Sequence, residues 1–333
     1  MSTSTGERGS LEDFIPVIDL EDYIQGQPEA LDRVATQFRR ASERVGFLVI
    51  INHGVYAEEK QRVMDVARRF FDLPLAEKMK IRINDDAVGY MPDKAQLPRT
   101  STWYKGSKKP DRGEAFMMKR DWSNDYTGFR NQWPDQPPDF KDVTRPWFDR
   151  MEELSLVLLP VYARALDLEE NYFLRFFRRG KALNMLRLAR MPADRLEPDE
   201  FNVAAHSDSS FVTLLPISDQ RGLQVMTRKG DWIDVPRIEN SFVVNSGDML
   251  TRWSNGRFLS TPHRVINTSG KLRYSIPFFC HPEPDAVIEC LDTCMNPGNP
   301  PKDPPISCAA YLDWFMHANF ALGEATYAEA ERG

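Results

Sequence analysis

Val203-Ala204-Ala205-His206-Ser207-Asp208 opens the stretch on which the reading of this chain turns; Thr261-Pro262-His263-Arg264-Val265 lies near its end, and Arg273-Tyr274-Ser275 closes it. In a strand, residues i and i+2 point to one face, so His206 and Asp208 project together and Ser207 points away. Two side chains cannot saturate a metal. His263, from a later strand, supplies a third ligand if the two strands meet at a barrel mouth. Two imidazoles and one carboxylate on one face of an octahedron leave three positions open, a set that suits non-haem Fe(II) working with dioxygen. Closed structural zinc sites use four ligands, often thiolates, and no cysteine but Cys280 lies near these strands. Arg273 and Ser275 form a second i,i+2 pair. A guanidinium offers a bidentate fork and a hydroxyl adds one donor, so together they read as a clamp for a carboxylate. The apolar Ile276, Phe278 and Phe279 that follow argue against a surface salt bridge for Arg273.

Around these residues the period is that of strands. Leu183–Leu188, Phe211–Leu215, Leu223–Met226, Trp232–Val235, Phe242–Val244, Met249–Leu250, His263–Ile266, Tyr274–Phe279 and Ala286–Glu289 each read as a short strand. Turn signals such as Lys229-Gly230-Asp231, Ser246-Gly247-Asp248 and Ser269-Gly270 separate them. Many short strands at even spacing indicate an all-β sandwich or barrel. Upstream, Ile15–Asp19 and Phe47–Ile51 are strands, but helical spacing dominates. Leu31, Val34, Ala35, Phe38, Ala41 and Val45 form one apolar stripe ended by Gly46, and a second helix carries Val63, Ala67, Phe70 and Phe71. A third helix is expected from Pro146 to about Leu166 and a short one from Glu169 to about Arg178. His53, at a turn after a strand and without a carboxylate partner, reads as a structural, backbone-bonded histidine. Residues 84–145 are rich in Pro, Gly and aromatics and are expected to be irregular, with part of them walling a pocket. After a Pro-rich segment a terminal helix starts near Ser307 and bears Tyr311, Trp314 and Phe315.

A helical first half followed by a β second half is an α+β layout. The expected divisions are a flexible 1–13, a helical and loop region 14–145, a helix plus β core 146–293, and a Pro-rich segment with C-terminal helix 294–333, all one integrated structural domain. With 41% apolar and 11% aromatic residues, the 333-residue chain can bury such a core. A net charge of −6, mixed along the chain, argues against a nucleic-acid partner. No apolar run reaches the roughly 18 residues of a membrane helix, so no membrane partner is expected. Met1 to Asp13 lacks the apolar region of a secretory signal. Cys280, Cys290, Cys294 and Cys308 lack zinc-finger spacing and read as reduced thiols of a cytoplasmic protein.

The chain resembles the isopenicillin N synthase-like branch of the Fe(II)/2-oxoglutarate-dependent dioxygenases. The resemblance rests on Gly46-Phe47 through Asn52-His53-Gly54, Phe70-Phe71-Asp72-Leu73-Pro74, Asn131-Gln132-Trp133-Pro134, His206-x-Asp208, Gly222-Leu223-Gln224-Val225, Asn245-x-Gly247-Asp248, Ser260-Thr261-Pro262-His263-Arg264-Val265 and Arg273-Tyr274-Ser275. It spans nearly the whole chain. It implies a double-stranded β-helix (jelly-roll) core with flanking N-terminal helices and a C-terminal helix. It also implies Fe(II) on His206, Asp208 and His263, 2-oxoglutarate with its distal carboxylate on Arg273 and Ser275, and O₂ as the oxidant. The activity implied is oxidation of a C–H bond by hydroxylation, desaturation or ring formation, with release of succinate and CO₂.

One departure stands out. Family members carry a Tyr-containing segment on the strand before the HxD, and here Met191 stands where that tyrosine often donates to a carboxylate. Its bond is missing or comes from elsewhere, with Asn184 and Arg187 as candidates. Two alternatives stay open: an isopenicillin N synthase-like iron oxidase in which the Arg-x-Ser pair holds the substrate carboxylate, and a metal-bearing jelly-roll that only binds. Tyr104, Phe116, Met118, Leu186, Phe279 and Phe315 are the candidate pocket walls. Their apolar character suggests a mid-sized small-molecule substrate of specialised metabolism, handled by a monomer or weak homo-oligomer.

Overall fold

Two sheets face each other across a shared apolar interior in the computed structural model, which describes residues 15–96, 109–120 and 130–319. The larger sheet has nine strands. In chain order these include β1 (Val17–Asp19), β2 (Phe47–Ile51), β3 (Gly89–Met91), β4 (Glu114–Lys119) and β5 (Met185–Met191). The smaller has four: β6 (Val203–His206), β8 (Leu223–Met226), β9 (Trp232–Asp234) and β11 (His263–Val265), in the order β6-β11-β8-β9. The larger runs β1-β2-β10-β7-β13-β5-β4-β3, with β7 (Val212–Pro216), β10 (Phe242–Ser246) and β13 (Phe278–Cys280), and β12 (Arg273–Ser275) also pairs with β5. This is the double-stranded β-helix, laid out as an α+β fold. The N-terminal strands are built into it, because β2 pairs antiparallel with β10.

Helices cover the outer face of the larger sheet. Among the described residues they include α1 (Glu21–Ile24), α2 (Ala30–Arg44), α3 (Ala57–Phe71), α4 (Leu75–Met79) and α5 (Phe140–Ala165). Both α2 and α3 pack on α5. Strand alternation then divides several strands of the larger sheet between two cores. Leu48, Ile50, Phe116, Met118, Leu186, Leu188, Val212, Leu214, Phe242, Val244 and Phe278 join the helix-side core. Phe47, Val49, Ala115, Ala189, Met191 and Val243 face the interior between the sheets. Two glycines are required by close approach. Gly46, at φ +71, ends α2 where a Cβ would run into the Leu259 carbonyl. At Gly247 a Cβ would collide with the Ser210 carbonyl.

Several expectations are corrected. Met249–Leu250 is not a strand but part of α6 (Asp248–Trp253): Met249, Leu250 and Trp253 are buried at helical spacing, which a two-residue apolar run does not reveal. Tyr274–Phe279 is two strands, because Pro277 cannot donate to a ladder. Residues 84–145 contain β3 and β4, and β4 pairs along β5. Buried on both faces, β4 shows no alternation to read. In place of a helix from Glu169 there is a 3₁₀ turn, Leu174–Phe176, and the long helix starts at Phe140 rather than Pro146. His53 is backbone-bonded as expected: Nε2 donates to the Asn240 carbonyl (2.9 Å) and Nδ1 accepts from the Val55 N–H (3.2 Å).

Phe116 meets Phe70 and Phe140 edge-on in the helix-side core. Phe116→Ala should therefore lower unfolding stability by about 3–5 kcal/mol in urea titration. Gly247→Ala should also destabilise, by more than about 1 kcal/mol, since the Ser210 backbone must move.

Candidate active site

His206 and His263 are direct partners across the antiparallel pair β6–β11, with ring centroids 4.3 Å apart. Each ring is fixed from behind by the same device. Nδ1 of His206 donates to the Ala204 carbonyl (2.8 Å) and Nδ1 of His263 to the Thr261 carbonyl (3.2 Å). A carbonyl can only accept, so the proton sits on Nδ1 and the Nε2 lone pair points inward. Asp208 lies beyond the end of β6, so the expected strand pairing with His206 is replaced by a turn. That turn is pinned by the Asp248 N–H on the Asp208 carbonyl (2.8 Å) and the Gly247 N–H on the Phe211 carbonyl (3.0 Å). The carboxylate itself is split. Its Oδ2 accepts from Thr213 Oγ1 (2.6 Å) and Asn245 Nδ2 (2.8 Å). Its Oδ1 faces His206 Nε2 at 3.5 Å and His263 Nε2 at 3.6 Å.

The three ligand atoms thus lie within 4.8 Å of one another. Burial alone would raise the Asp208 pKa, but His263 and His206 hold it well below the usual carboxylate range. Burial pushes His263 down, and Asp208 outweighs it, so its pKa rises. The donor set fits a ferrous ion: two neutral imidazole nitrogens and one carboxylate oxygen, oriented by second partners, with no thiolate. Ser207 lines the same cavity as His206 and Asp208 and donates to Asp248 Oδ2 (3.3 Å), as does Tyr311 Oη (3.2 Å) from α7 (Cys308–Asn319). The terminal helix is thereby tied to the turn that carries Asp208.

Arg273 and Ser275 stand on β12 opposite Met191 and Ala189 of β5. Arg273 is only 2% exposed, yet its Nη1 meets nothing stronger than Met191 Sδ (3.0 Å) and its Nε has no partner among the described residues. Burial, helped by Arg237, pushes its pKa down to about 10, which leaves it a cation at neutral pH. A buried cation with no counter-charge is costly, so this position calls for an anion. Asn184 is committed elsewhere: its Nδ2 donates to Glu152 Oε1 (3.1 Å) and its Oδ1 accepts from the His281 N–H (3.0 Å). The Arg187 side chain has no such commitments among the described residues.

Two adjoining cavities, about 70 and 90 Å³, meet at Arg187, His206, Asp208 and Phe279. Ser275, Met191, Ala189 and His263 line the first; Met117, Lys119, Met185, Leu312 and Phe315 are among the residues lining the second. Phe279 and Phe315 therefore face the cavity. Phe116, Met118 and Leu186 do not: they are buried in the helix-side core. Met117, Met185 and Arg187, one residue away on the same strands, take the wall positions, because a shift of one reverses the face. Tyr104 lies outside the described residues.

Family models match most of the chain. The model described as non-haem dioxygenase in morphine synthesis N-terminal covers residues 15–136, and that of the 2OG-Fe(II) oxygenase superfamily covers residues 183–282. The chain is 35% identical over 325 residues to the 2-oxoglutarate-Fe(II) type oxidoreductase hxnY of Emericella nidulans, spanning 93% of this chain and 91% of that protein. It is 32% identical over 297 residues to the 2-oxoglutarate-dependent dioxygenase caaD of Aspergillus niger, spanning 86% and 87%. Among solved structures, a full-length Neurospora crassa protein crystallised in complex with alpha-KG is similar at a TM-score of 0.81 and 28% identity, over 91% of this chain and 96% of that one. A putative 2OG-Fe(II) oxygenase family protein from Caulobacter crescentus is similar at a TM-score of 0.77 and 28% identity, over 91% and 98%. Near full-length matches of this kind, on a jelly-roll whose mouth gathers two histidines and an aspartate, make the chain a member of the 2-oxoglutarate- and Fe(II)-dependent oxygenases.

Proposed function

We propose that His206, Asp208 and His263 hold the ferrous ion, that Arg273 and Ser275 bind the distal carboxylate of 2-oxoglutarate, and that a small organic molecule enters the cavity beside them. The observation that carries this reading is the commitment of the ligands: each of the three side chains has one polar atom tied to its own chain and the other turned to a common point. Iron, 2-oxoglutarate and O₂ together supply oxidation of a C–H bond, coupled to conversion of the co-substrate to succinate and CO₂. The chain's part is placement. Ala189, the small residue between Arg187 and Met191 on the cavity face of β5, leaves room for the co-substrate opposite Ser275. Phe47 packs edge-on to His263, and Val203, Leu223 and Val265 complete an apolar wall that keeps water from the metal side.

The family membership supports this reading over an iron oxidase without 2-oxoglutarate and over a jelly-roll that only binds. Hydroxylation, desaturation and ring formation are all outcomes open to such a site, and specialised metabolism suits its mixed apolar and polar walls. All four cysteines are free, which supports a reducing compartment such as the cytoplasm. No helix among the described residues is long and apolar enough to cross a membrane.

Asp208→Ala should lower bound Fe(II) by more than about tenfold in anaerobic metal titration, and Asn245→Ala, which strips one donor from Asp208, by about tenfold. Arg273→Leu should raise the KM for 2-oxoglutarate by about 10- to 100-fold while iron content holds. Full succinate release by Asp208→Ala, or an unchanged KM in Arg273→Leu, contradicts these roles.

A further inference from the structure

We infer that Arg187 is a substrate-binding residue and that the substrate is a small organic acid, its anionic group on Arg187 and its apolar body in the cavity beside the metal. The inference rests on the iron and co-substrate assignment above. Arg187 lines both cavities, together with His206 and Asp208 in each. Its backbone N–H is used by the Pro277 carbonyl, but among the described residues its side chain makes no hydrogen bond or ion pair, and its Nε is buried without a partner. Arg273 apart, two other arginines that enter the body of the protein are spoken for. Arg190, on the opposite face of the same strand, binds Glu114 and Asp72, and Arg120 binds Asp149 and Glu152. A guanidinium remains charged even when buried, so a vacant fork at the cavity junction is a standing demand for an anion or a planar acceptor pair.

Charge and position assign that anion to the substrate rather than to 2-oxoglutarate. Fe(II), the Asp208 carboxylate, a doubly negative co-substrate and Arg273 sum to zero, which leaves Arg187 uncompensated by them. The nearest other acid, Asp111, acts on Arg187 through space but makes no hydrogen bond to it: its Oδ1 accepts from the Ala204 N–H (2.9 Å) and its Oδ2 has no partner among the described residues. Lys119 brings a further cation to the same wall, its Nζ on the Asp86 carbonyl (2.7 Å). Met191, the contact of Arg273, lies four positions along β5 from Arg187, roughly 13 Å along a strand. The two arginines therefore reach different parts of the site. On the Arg187 side the walls are Met117, Leu183, Met185, Phe279, Leu312 and Phe315, which suit a compact apolar body.

The test is calorimetry under argon on the Fe(II)·2-oxoglutarate enzyme, where no turnover occurs. Phenylacetate, benzoate and octanoate are titrated, each against its neutral primary amide. At least one acid should bind about tenfold or more tightly than its amide, Arg187→Leu should erase that preference, and Arg187→Lys should keep part of it. Affinity for 2-oxoglutarate should stay within about threefold in both variants, with circular dichroism confirming the fold. No acid preferred over its amide, or a preference that survives Arg187→Leu, overturns the proposal. A tenfold loss of 2-oxoglutarate affinity in Arg187→Leu also overturns it, by moving Arg187 to the co-substrate. Failure of the wild type to bind Fe(II) and 2-oxoglutarate overturns the site assignment itself, and this inference with it.

Discussion

Asp208 is held on one oxygen so that it can work with the other. Thr213 and Asn245, from β7 and β10 of the larger sheet, fix Oδ2, while the imidazoles that face Oδ1 come from β6 and β11 of the smaller. The carboxylate is thus a tie between the two sheets of the jelly-roll, and the metal position exists only where they meet. What surrounds it follows from that constraint. Gly247 has no side chain because Ser210, two residues past Asp208, lies against its backbone. The terminal helix reaches the same turn through Tyr311 and Asp248. A perturbation of either sheet edge reaches the metal through hydrogen bonds of fixed direction, not through loose packing.

Around this tie the chain places positive charge that it does not neutralise itself. Arg273 is buried with a thioether as its closest partner, and Arg187 has no side-chain partner among the described residues. Cations in such positions weaken the bare fold, because their desolvation is not returned. They are understandable as half of interactions that ligands would complete. Met191 gives Arg273 a soft contact and leaves the guanidinium fork open.

The chemistry was more legible in the sequence than the architecture that presents it. His206, Asp208 and His263 were readable because few structural needs put two histidines and an aspartate in that order beside an Arg-x-Ser pair. Strand alternation nonetheless does not join His206 with Asp208, since the strand ends at His206. The pocket walls were misassigned for a related reason. Strands β4 and β5 are apolar on both faces, so hydrophobicity could not say which of Phe116 or Met117, and which of Leu186 or Arg187, faces the ligand. The arginines carried the missing signal: Arg187 and Arg190 alternate in parity on one strand, and the partners of Arg190 lie on the outer face. Met249–Leu250 failed because a run that short has no period.

The central claim is that one chain positions iron on three named ligands and 2-oxoglutarate on Arg273 and Ser275. A crystal structure of the anaerobic Fe(II)·2-oxoglutarate complex tests it most directly. The account predicts an anomalous iron peak bonded to His206 Nε2, Asp208 Oδ1 and His263 Nε2, with the distal carboxylate of the co-substrate on the Arg273 guanidinium and the Ser275 hydroxyl. Iron bound elsewhere, or a distal carboxylate seated on Arg187, would contradict it.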